Sequence, residues 1–436
     1  MELIVSNVGK ISQANIKIEG MTVIAGENNT GKSTIGKALF AFFNGLYQLD
    51  DAVINVRKEN IYDALRLYVN EEYNVRNIWW RRSQERELEP IISCMAEKKE
   101  FSDDEFDNML ESIDELIENA LNDNPSMVIN RNIVISDSDK SGDNKNKFRS
   151  SVERALTICD EEIRNRILTS YFISEFDNQV NNVFTNEKTV VELQIKSNRF
   201  KVEIKENLVE EFDHIESLET QAVYIDDPFI VDEDPRSITW GRYPKDHRSI
   251  LKAQLIKEKY DNIIDQIVVD KKIGNIFEKI NTIVGGELVL SDRRSFAYQP
   301  LNAKDSINMK NISSGLKPFL IVKQLLQNGV LKENGMLILD EPEIHLHPEW
   351  QIVLAELIVL IQKEFGMHVL LTTHSPYFLY AIELFTGKHG MEDTSHYYLA
   401  KNHNNQLLFS DVSNNIDLIY KKLSDPFQRL ENLSYE

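Results

Sequence analysis

The stretch MTVIAGENNTGKST, residues 21–34, is the strongest indication of the fold of this 436-residue chain. Its first five residues form a compact apolar run typical of a buried strand, and a helical pattern follows from Lys32 to Phe43. Between them, Gly26–Ser33 fits the pattern GxxxxGK[ST], whose glycines let the loop curl so that backbone N–H groups point inward at phosphate oxygens. Because the strand and the helix that this pattern requires are both present, the sequence predicts a phosphate-binding loop.

The polar residues of the loop predict a nucleotide site. We expect Lys32 to reach the β- and γ-phosphates and Ser33 to bind Mg²⁺, while the positive end of the following helix favours anions. A fortuitous glycine turn is the alternative, and the flanking strand and helix count against it. The predicted nucleotide contacts are Gly26, Glu27, Asn28, Asn29, Thr30, Gly31, Lys32, Ser33 and Thr34.

A second apolar strand, Met336–Leu339, ends in two carboxylates, Asp340 and Glu341. Burial of this strand would aim both at the mouth of the phosphate loop. We expect Asp340 to bind Mg²⁺ directly or through water, and Glu341 to accept the proton of the attacking water. The loop and the acidic strand together predict binding and hydrolysis of ATP with Mg²⁺.

Two further motifs flank the acidic strand. Ser313-Ser314-Gly315 opens a predicted helix ahead of it, where small residues can offer N–H and hydroxyl donors to a γ-phosphate, or where a serine simply caps the helix. His374 follows the next strand and can donate to the γ-phosphate or hold the attacking water. An ordinary loop histidine is the alternative there. The order of the four motifs favours the functional interpretation of both.

In this order the motifs resemble those of ABC ATPases, within them the SMC/RecF-like branch, and most of all the prokaryotic ATPases of the OLD and Septu type. The resemblance implies a nucleotide-sandwich homodimer, or a higher homo-oligomer, in which Ser313, Ser314 and Gly315 contact the partner subunit's ATP. The signature departs from the usual one, with Ser314 at the first glycine and Leu316 at the polar position. The segments that carry the resemblance are AGENNTGKST (25–34), NISSGLK (311–317), MLILDEPEIHLHP (336–348) and LLTTHSP (370–376).

The resemblance also implies roles for three further residues. Related proteins place a Gln at a strand end before the helical lobe, and Asp227 is the best match here. Asp227 could reach a Mg²⁺-bound water, or it could form an ordinary aspartate turn before Pro228. His345 and His347 are expected to contact the partner subunit rather than a metal, because a metal site needs more ligands nearby.

The alternation of strands and helices predicts the fold class α/β. With the resemblance, this becomes an ABC-ATPase (P-loop NTPase) fold with a mixed or parallel sheet, β-hairpins at 189–205 and 287–299, and a helical insertion. The predicted domains are residues 1–44, the core with the phosphate loop; 45–170, the helical insertion; and 171–436, the rest of the core. By composition, Ser136–Lys147 is expected to be a mobile loop or a short linker.

The net charge of the chain limits which partners it is expected to bind. The formal net charge is −21, the opposite sign from a general nucleic-acid binder. Nucleic acid is therefore expected to bind only weakly to the chain alone. One cluster of arginines and tryptophans could still grip phosphates and stack on bases, or it could be a helix face with buried tryptophans. The cluster comprises Arg76, Trp79, Trp80, Arg81, Arg82 and Arg86.

We expect a cytoplasmic protein without a membrane segment, because no signal peptide is recognisable and no apolar run approaches the ~20 residues of a membrane span. The two cysteines, Cys94 and Cys159, have no metal-ligand spacing.

Two functions remain open at this point. The first is an ATPase subunit that regulates a separate effector, such as a nuclease, in anti-phage defence. The residues after LLTTHSP are too few for the Toprim nuclease of OLD proteins, which favours a separate effector. The second is a RecF-like DNA-repair ATPase that binds DNA directly. A transporter ATPase subunit is poorly supported, because the signature and the DEPEIHLHP loop do not resemble those of transporters.

Overall fold

The structure is a computed structural model that describes residues 1–73, 82–98, 100–123, 138–213, 216–235, 246–257, 274, 276–291, 295–403 and 406–434. The chain forms two compact units, Met1–Tyr47 with Leu168–Glu436, and Gln48–Ile167. The functional division of the chain at residues 45 and 170 stays a prediction. Within the described ranges, no helix combines the length and the apolar character needed to cross a membrane.

The first unit is built around strands. An eleven-stranded mixed sheet has the order β6-β5-β4-β1-β2-β14-β13-β3-β12-β11-β7, and a separate three-stranded sheet has the order β10-β9-β8. The strands are β1 (Glu2–Val8), β2 (Ile11–Lys17), β3 (Met21–Gly26), β4 (Thr189–Ile195), β5 (Asn198–Lys205), β6 (Leu208–Asp213), β7 (Ala222–Ile225), β8 (Gly286–Leu290), β9 (Phe296–Pro300), β10 (Ile307–Asn308), β11 (Met336–Asp340), β12 (His368–Thr373), β13 (Ser395–His403) and β14 (Gln406–Asp411).

The half of the large sheet that carries the motifs is parallel. β13, β3, β12, β11 and β7 are joined by parallel pairings. β3 is buried along its whole length and β11 as far as Leu339, which explains their unbroken apolar sequences, because a strand covered on both faces needs apolar side chains on both. Parallel strands end at a common edge, so Gly26, Asp340 and Thr373 meet there.

The other half of the sheet is antiparallel, from β6 through β2. The predicted hairpin at 189–205 is confirmed as β4 and β5, which turn between Ile195 and Asn198. The predicted hairpin at 287–299 is confirmed as β8 and β9 of the small sheet. The predicted α/β fold class with a mixed sheet is therefore confirmed.

Helices cover the parallel half of the sheet and form the second unit. α1 packs against β7 and β11, and most of its side chains are buried. The helices are α1 (Lys32–Leu46), α2 (Leu49–Glu72), α3 (Arg82–Glu97), α4 (Asp103–Asp123), α5 (Ser138–Thr157), α6 (Asp160–Glu175), α7 (His247–Ile256), α8 (Lys317–Gln327), α9 (Pro348–Phe365), α10 (Pro376–Lys388) and α11 (Asp417–Ser434).

The second unit has its own apolar core, formed by α2 to α5. The expectation of a mobile loop at 136–147 was wrong for residues 138–147, which belong to α5; residues 136 and 137 lie outside the described ranges. Phe148 and Val152 are buried in the core and anchor the helix. In the polar turns of α5 that precede Phe148, Asp143 and Lys147 form an ion pair at 2.9 Å. The two residues are four apart on one face of the helix, a spacing at which such a pair stabilises the helix.

Candidate active site

The loop between β3 and α1 depends on its glycines. Gly31 precedes α1 with a left-handed φ of 79°, a conformation that glycine adopts without a steric penalty. Gly26 lies so close to β13 that a Cβ atom there would be 2.4 Å from the carbonyl oxygen of Ala400. The Thr30 hydroxyl donates to the carbonyl of Glu27 at 2.8 Å and braces the loop from inside. The glycine spacing of the motif therefore matches what the backbone requires.

Lys32, the first residue of α1, is buried with its ammonium group turned into the loop. Its Nζ donates to the carbonyl oxygens of Gly26 at 3.2 Å and Glu27 at 2.9 Å. The same Nζ lies 3.2 Å from Oε1 of Glu341. One cation thus joins the phosphate loop to the acidic strand.

Asp340, the last residue of β11, is held by two hydroxyl groups. Tyr224 donates to Oδ2 at 3.3 Å, and Thr372 donates to Oδ1. Tyr224 is buried, and burial raises the pKa of its hydroxyl well above the usual value, so it remains a donor at neutral pH. The two hydrogen bonds fix the direction of the Asp340 carboxylate.

Glu341 has a left-handed backbone with φ of 48°, a sparsely populated region for a residue with a side chain. Its N–H donates to both the carbonyl oxygen and the hydroxyl of Thr372, each at 3.1 Å, which holds this conformation. Oε2 lies 3.4 Å from Nδ1 of His374. His374 and Lys32 lower the pKa of Glu341 to about 2, although burial opposes them. A left-handed backbone at a residue with a side chain, as at Glu341, is a strain that concentrates at functional sites.

His374 lies between two carboxyl groups of different character. Glu341 raises the pKa of its imidazole. Behind it, Glu343 is almost completely buried, and burial raises the pKa of its carboxyl group. Oε1 of Glu343 accepts from the Thr373 hydroxyl at 2.5 Å and from the His374 N–H at 3.3 Å. Glu343 therefore fixes the backbone that presents His374 to Glu341.

The loop and the acidic strand end open onto one cavity of about 530 Å³. Two predicted residues, Gly26 and Glu27, are not among the lining residues. Their carbonyl oxygens accept hydrogen bonds from Lys32, which does line the cavity. Four lining residues were not predicted: Gly9, Lys10, Asp226 and Ile344. The predicted residues that line the cavity are Asn28, Asn29, Thr30, Gly31, Lys32, Ser33, Thr34, Asp340 and Glu341.

Of the two aspartates after β7, Asp226 lines this cavity. Asp227, the predicted metal contact, instead accepts from the N–H of Phe229 at 2.8 Å and caps the short 3-10 helix Pro228–Asp232. Arg248 holds both, with its guanidinium 3.1 Å from Asp226 and 3.3 Å from Asp227. The predicted turn before Pro228 is therefore present. The carboxylate that lines the cavity is that of Asp226.

A buried histidine lies behind Asp226. Nε2 of His247 is 3.0 Å from Asp226, and Nδ1 is 2.7 Å from Glu175. Its ring stacks on that of Tyr224, with centroids 4.3 Å apart. Burial alone would lower the pKa of His247, but the two neighbouring carboxylates, Asp226 and Glu175, raise it to about 9. The Nδ1 atom is hydrogen-bonded to Glu175, and Nε2 makes an ion-pair contact with Asp226.

The predicted signature residues lie away from the cavity of their own chain. None of Ser313, Ser314 and Gly315 is among its lining residues. Ser313 is exposed and precedes a 3-10 turn, Ser314–Leu316, that leads into α8. A Cβ atom on Gly315 would lie 3.2 Å from the Trp350 ring. The turn is therefore packed against Trp350 at Gly315 and exposed to solvent at Ser313.

The two histidines after Glu341 have separate contacts. Nδ1 of His347 accepts from the N–H of Glu349 at 3.4 Å and caps α9. The ring of His345 meets that of Phe229 edge to face at 5.0 Å. Within the described ranges, no group of three or more His, Cys, Asp and Glu side chains is arranged to hold a metal.

The arginine and tryptophan cluster falls mostly outside the described ranges. This applies to Arg76, Trp79, Trp80 and Arg81. Arg82 is the first residue of α3, and Arg86 is exposed on the same helix. The prediction of a nucleic-acid contact there stays a prediction.

The model of the family described as AAA ATPase domain matches residues 1–379. Among solved structures, the SMC head domain from Thermotoga maritima is 11% identical, with a TM-score of 0.35, and covers 94% of this chain and 98% of that one. An SMC head bound to the C-terminal winged-helix domain of ScpA is 10% identical, with a TM-score of 0.40 and coverage of 95% and 98%. An SMC head with an extended coiled coil, bound to a ScpA domain derived from Pyrococcus furiosus, is 10% identical, with a TM-score of 0.33 and coverage of 96% and 98%. At these values the likeness implies no shared activity or partner.

Proposed function

This chain belongs to the AAA ATPase domain family, and from that membership we propose that it binds Mg-ATP in the cavity at the end of β3 and β11 and hydrolyses it to ADP and phosphate. The observation that carries the proposal is the contact between Lys32 and Glu341, 3.2 Å apart at the cavity wall. One is the cation of the phosphate loop, and the other is a carboxylate with the chemistry of a general base.

The lining of the cavity suits a triphosphate. Backbone N–H groups of the loop and the first turn of α1 supply donors, and the helix supplies the positive end of its dipole. Lys32 adds a full charge from within the loop. Lys10, on the turn between β1 and β2, adds a second cation at the rim, with Nζ 3.5 Å from Oδ1 of Asn29.

The residues present also suit Mg²⁺, which prefers oxygen ligands and commonly takes one or two carboxylates besides substrate phosphates. We assign it to the Ser33 hydroxyl and the Asp340 carboxylate. We assign a further contact to Asp226, which lines the cavity beside Asp340, rather than to Asp227. When bound there, the ion would neutralise charge that develops on the phosphates.

Hydrolysis gives Lys32 and Glu341 different tasks. When the Lys32 ammonium turns to phosphate oxygens, it leaves Glu341, and one of the two cations that lower the pKa of that carboxylate is gone. Glu341 then becomes a stronger base and can accept a proton from water attacking the γ-phosphate. His374, 3.4 Å away, orients the carboxylate and can donate to the γ-phosphate.

We assign the remaining γ-phosphate donors to a second copy of the chain. The signature residues do not line the cavity of their own chain, and Ser313 is exposed. Ile344 lines the cavity and is 53% exposed, an apolar side chain at its mouth that a second subunit would cover. The active form is then a homodimer with two composite sites, and higher homo-oligomers can build on it.

For the biological role, we propose regulation of a separate effector, such as a nuclease, in anti-phage defence. The resemblance of the four motifs to OLD- and Septu-type ATPases and the net charge of −21 support this role. The charge also favours this role over that of a RecF-like repair ATPase, because a chain with a large net negative charge repels the phosphates of DNA.

The substitution Glu341→Gln tests the ATPase. It keeps the size and polarity of the side chain but removes the proton acceptor, so phosphate release should fall by ~10²-fold or more while ATP binding survives. Glu349→Gln, at an exposed glutamate in the first turn of α9, is the matched control and should keep the parent rate. Hydrolysis by Glu341→Gln at the parent rate would contradict the assignment of the base.

A further inference from the structure

We infer that His247, backed by Glu175, is a positioning residue that fixes the Asp226 carboxylate on the metal side of the cavity. The inference rests on the proposed function and deepens it. It concerns a residue that belongs to none of the sequence motifs and does not itself line the cavity.

The backbone places Asp226 beside Asp340. β7 and β11 are parallel, and their last paired residues are Ile225 and Leu339. The next residue on each strand is an aspartate, and both aspartates line the cavity. Two carboxylates at the ends of neighbouring parallel strands form a natural pair for one cation.

A stacked pair of rings holds both carboxylates. Nε2 of His247 makes an ion-pair contact with Asp226 at 3.0 Å, and the Tyr224 hydroxyl donates to Asp340 at 3.3 Å. The two rings are 4.3 Å apart with an interplanar angle of 26°. Each carboxylate therefore contacts one ring of the same stacked pair.

Glu175 fixes the imidazole from the other side. Its carboxylate accepts from Nδ1 of His247 at 2.7 Å and from the backbone N–H of His247 at 3.0 Å. The side chains of Glu175 and His247 are 1% and 6% exposed. Burying such a pair brings little net stability, but it restricts the orientation of the ring and keeps Nε2 within 3.0 Å of Asp226. This is the geometry by which outer residues orient the ligands of a metal.

The charges around Asp226 predict when a cation binds. His247 and Arg248 both contact this carboxylate, so much of its charge is already compensated. We therefore expect Mn²⁺ alone to bind weakly and Mn²⁺ with a triphosphate to bind well.

The test is a double-mutant cycle on Mn²⁺ binding, measured by electron paramagnetic resonance with a saturating non-hydrolysable ATP analogue. His247→Phe keeps an aromatic ring on Tyr224 but removes both donors, and it should weaken Mn²⁺ binding by about tenfold, the usual scale for an orienting residue. In the Asp226→Asn background the same change should have no further effect. Glu175→Gln, which keeps an acceptor, should weaken binding less, and His247→Gln, which keeps one donor, should restore part of the affinity.

His368→Phe is the matched control, because His368 is also a largely enclosed histidine but starts β12 and does not line the cavity. It should leave Mn²⁺ binding unchanged. Thermal unfolding of the metal-free variants separates a folding defect from a positioning defect. Equal losses from His247→Phe in both backgrounds, or no loss in either, would overturn the inference while leaving the ATPase intact. A wild-type chain that binds neither the analogue nor its Mn²⁺ complex would instead overturn the proposed function.

Discussion

At the scale of single residues, Lys32 has two sets of partners that exclude one another. In the structure its ammonium group holds two loop carbonyls and Glu341. In the proposed complex it holds phosphate oxygens. The exchange is favourable because a triphosphate offers several negative charges in place of one carboxylate, and the loop N–H groups alone cannot neutralise them.

Lys32→Ala should therefore weaken Mg-ATP binding by about tenfold or more, since a hydrogen bond to a charged group contributes about 1.5–3 kcal/mol, and hydrolysis should be lost. Titration calorimetry measures the affinity. Lys37→Ala removes a charge from the same helix at a side chain that does not line the cavity and serves as the control. An unchanged affinity in Lys32→Ala would contradict the proposed phosphate contact.

Residue identities could be predicted where the chemistry is local in sequence. The phosphate loop and the acidic strand each lie within a few consecutive residues, and the structure brings Lys32 and Glu341 together. Which of Asp226 and Asp227 lines the cavity could not be predicted, because it depends on the path of the backbone into the 3-10 helix after β7. The contact of His247 with Asp226 was not predicted either, because the partner that holds His247, Glu175, is 72 residues away.

At the scale of elements, the signature turn is the part of the proposed site that does not line the cavity of its own chain. Gly315 is buried and packs against the Trp350 ring. N–H groups at a helix start lack partners within the helix, so we expect the turn that precedes α8 to be able to donate to an anion.

Gly315→Asp should place a carboxylate where the partner subunit's γ-phosphate docks, and like charges repel strongly in a partly desolvated site. Hydrolysis should fail while each chain still binds ATP in its own loop. Because any side chain there presses on Trp350, Gly315→Ala is the control for packing and should retain more activity. Equal phosphate release by the two variants would contradict a role for charge at this turn.

The helices and strands were predicted best where burial leaves a strong pattern. The buried strands β3 and β11 and the hairpin of β4 and β5 match the sequence patterns. The first half of α5 does not, because its polar composition resembles a loop. The segment is helical because α5 packs into a core that it shares with three other helices. The amino-acid composition of the segment alone contains no information about those contacts.

At the scale of the whole molecule, the net charge of −21 sets the field that a large anion meets. We expect weak binding of duplex DNA by the purified chain at physiological salt, and gel-shift titration measures it. Tight, salt-sensitive binding would support the repair function instead. Loss of that binding in a combined Arg76→Ala, Arg81→Ala and Arg82→Ala variant would then assign it to the arginine cluster.

We propose that each ATP site combines the phosphate loop of one chain with the signature of another. Mixing two inactive variants, Lys32→Ala and Gly315→Asp, tests this arrangement, with occluded ATP counted per dimer. A mixed dimer contains one composite site with both lesions and one with neither. We expect one occluded ATP per mixed dimer, and none in either variant alone. Mixed dimers that form but occlude no ATP would contradict the composite site.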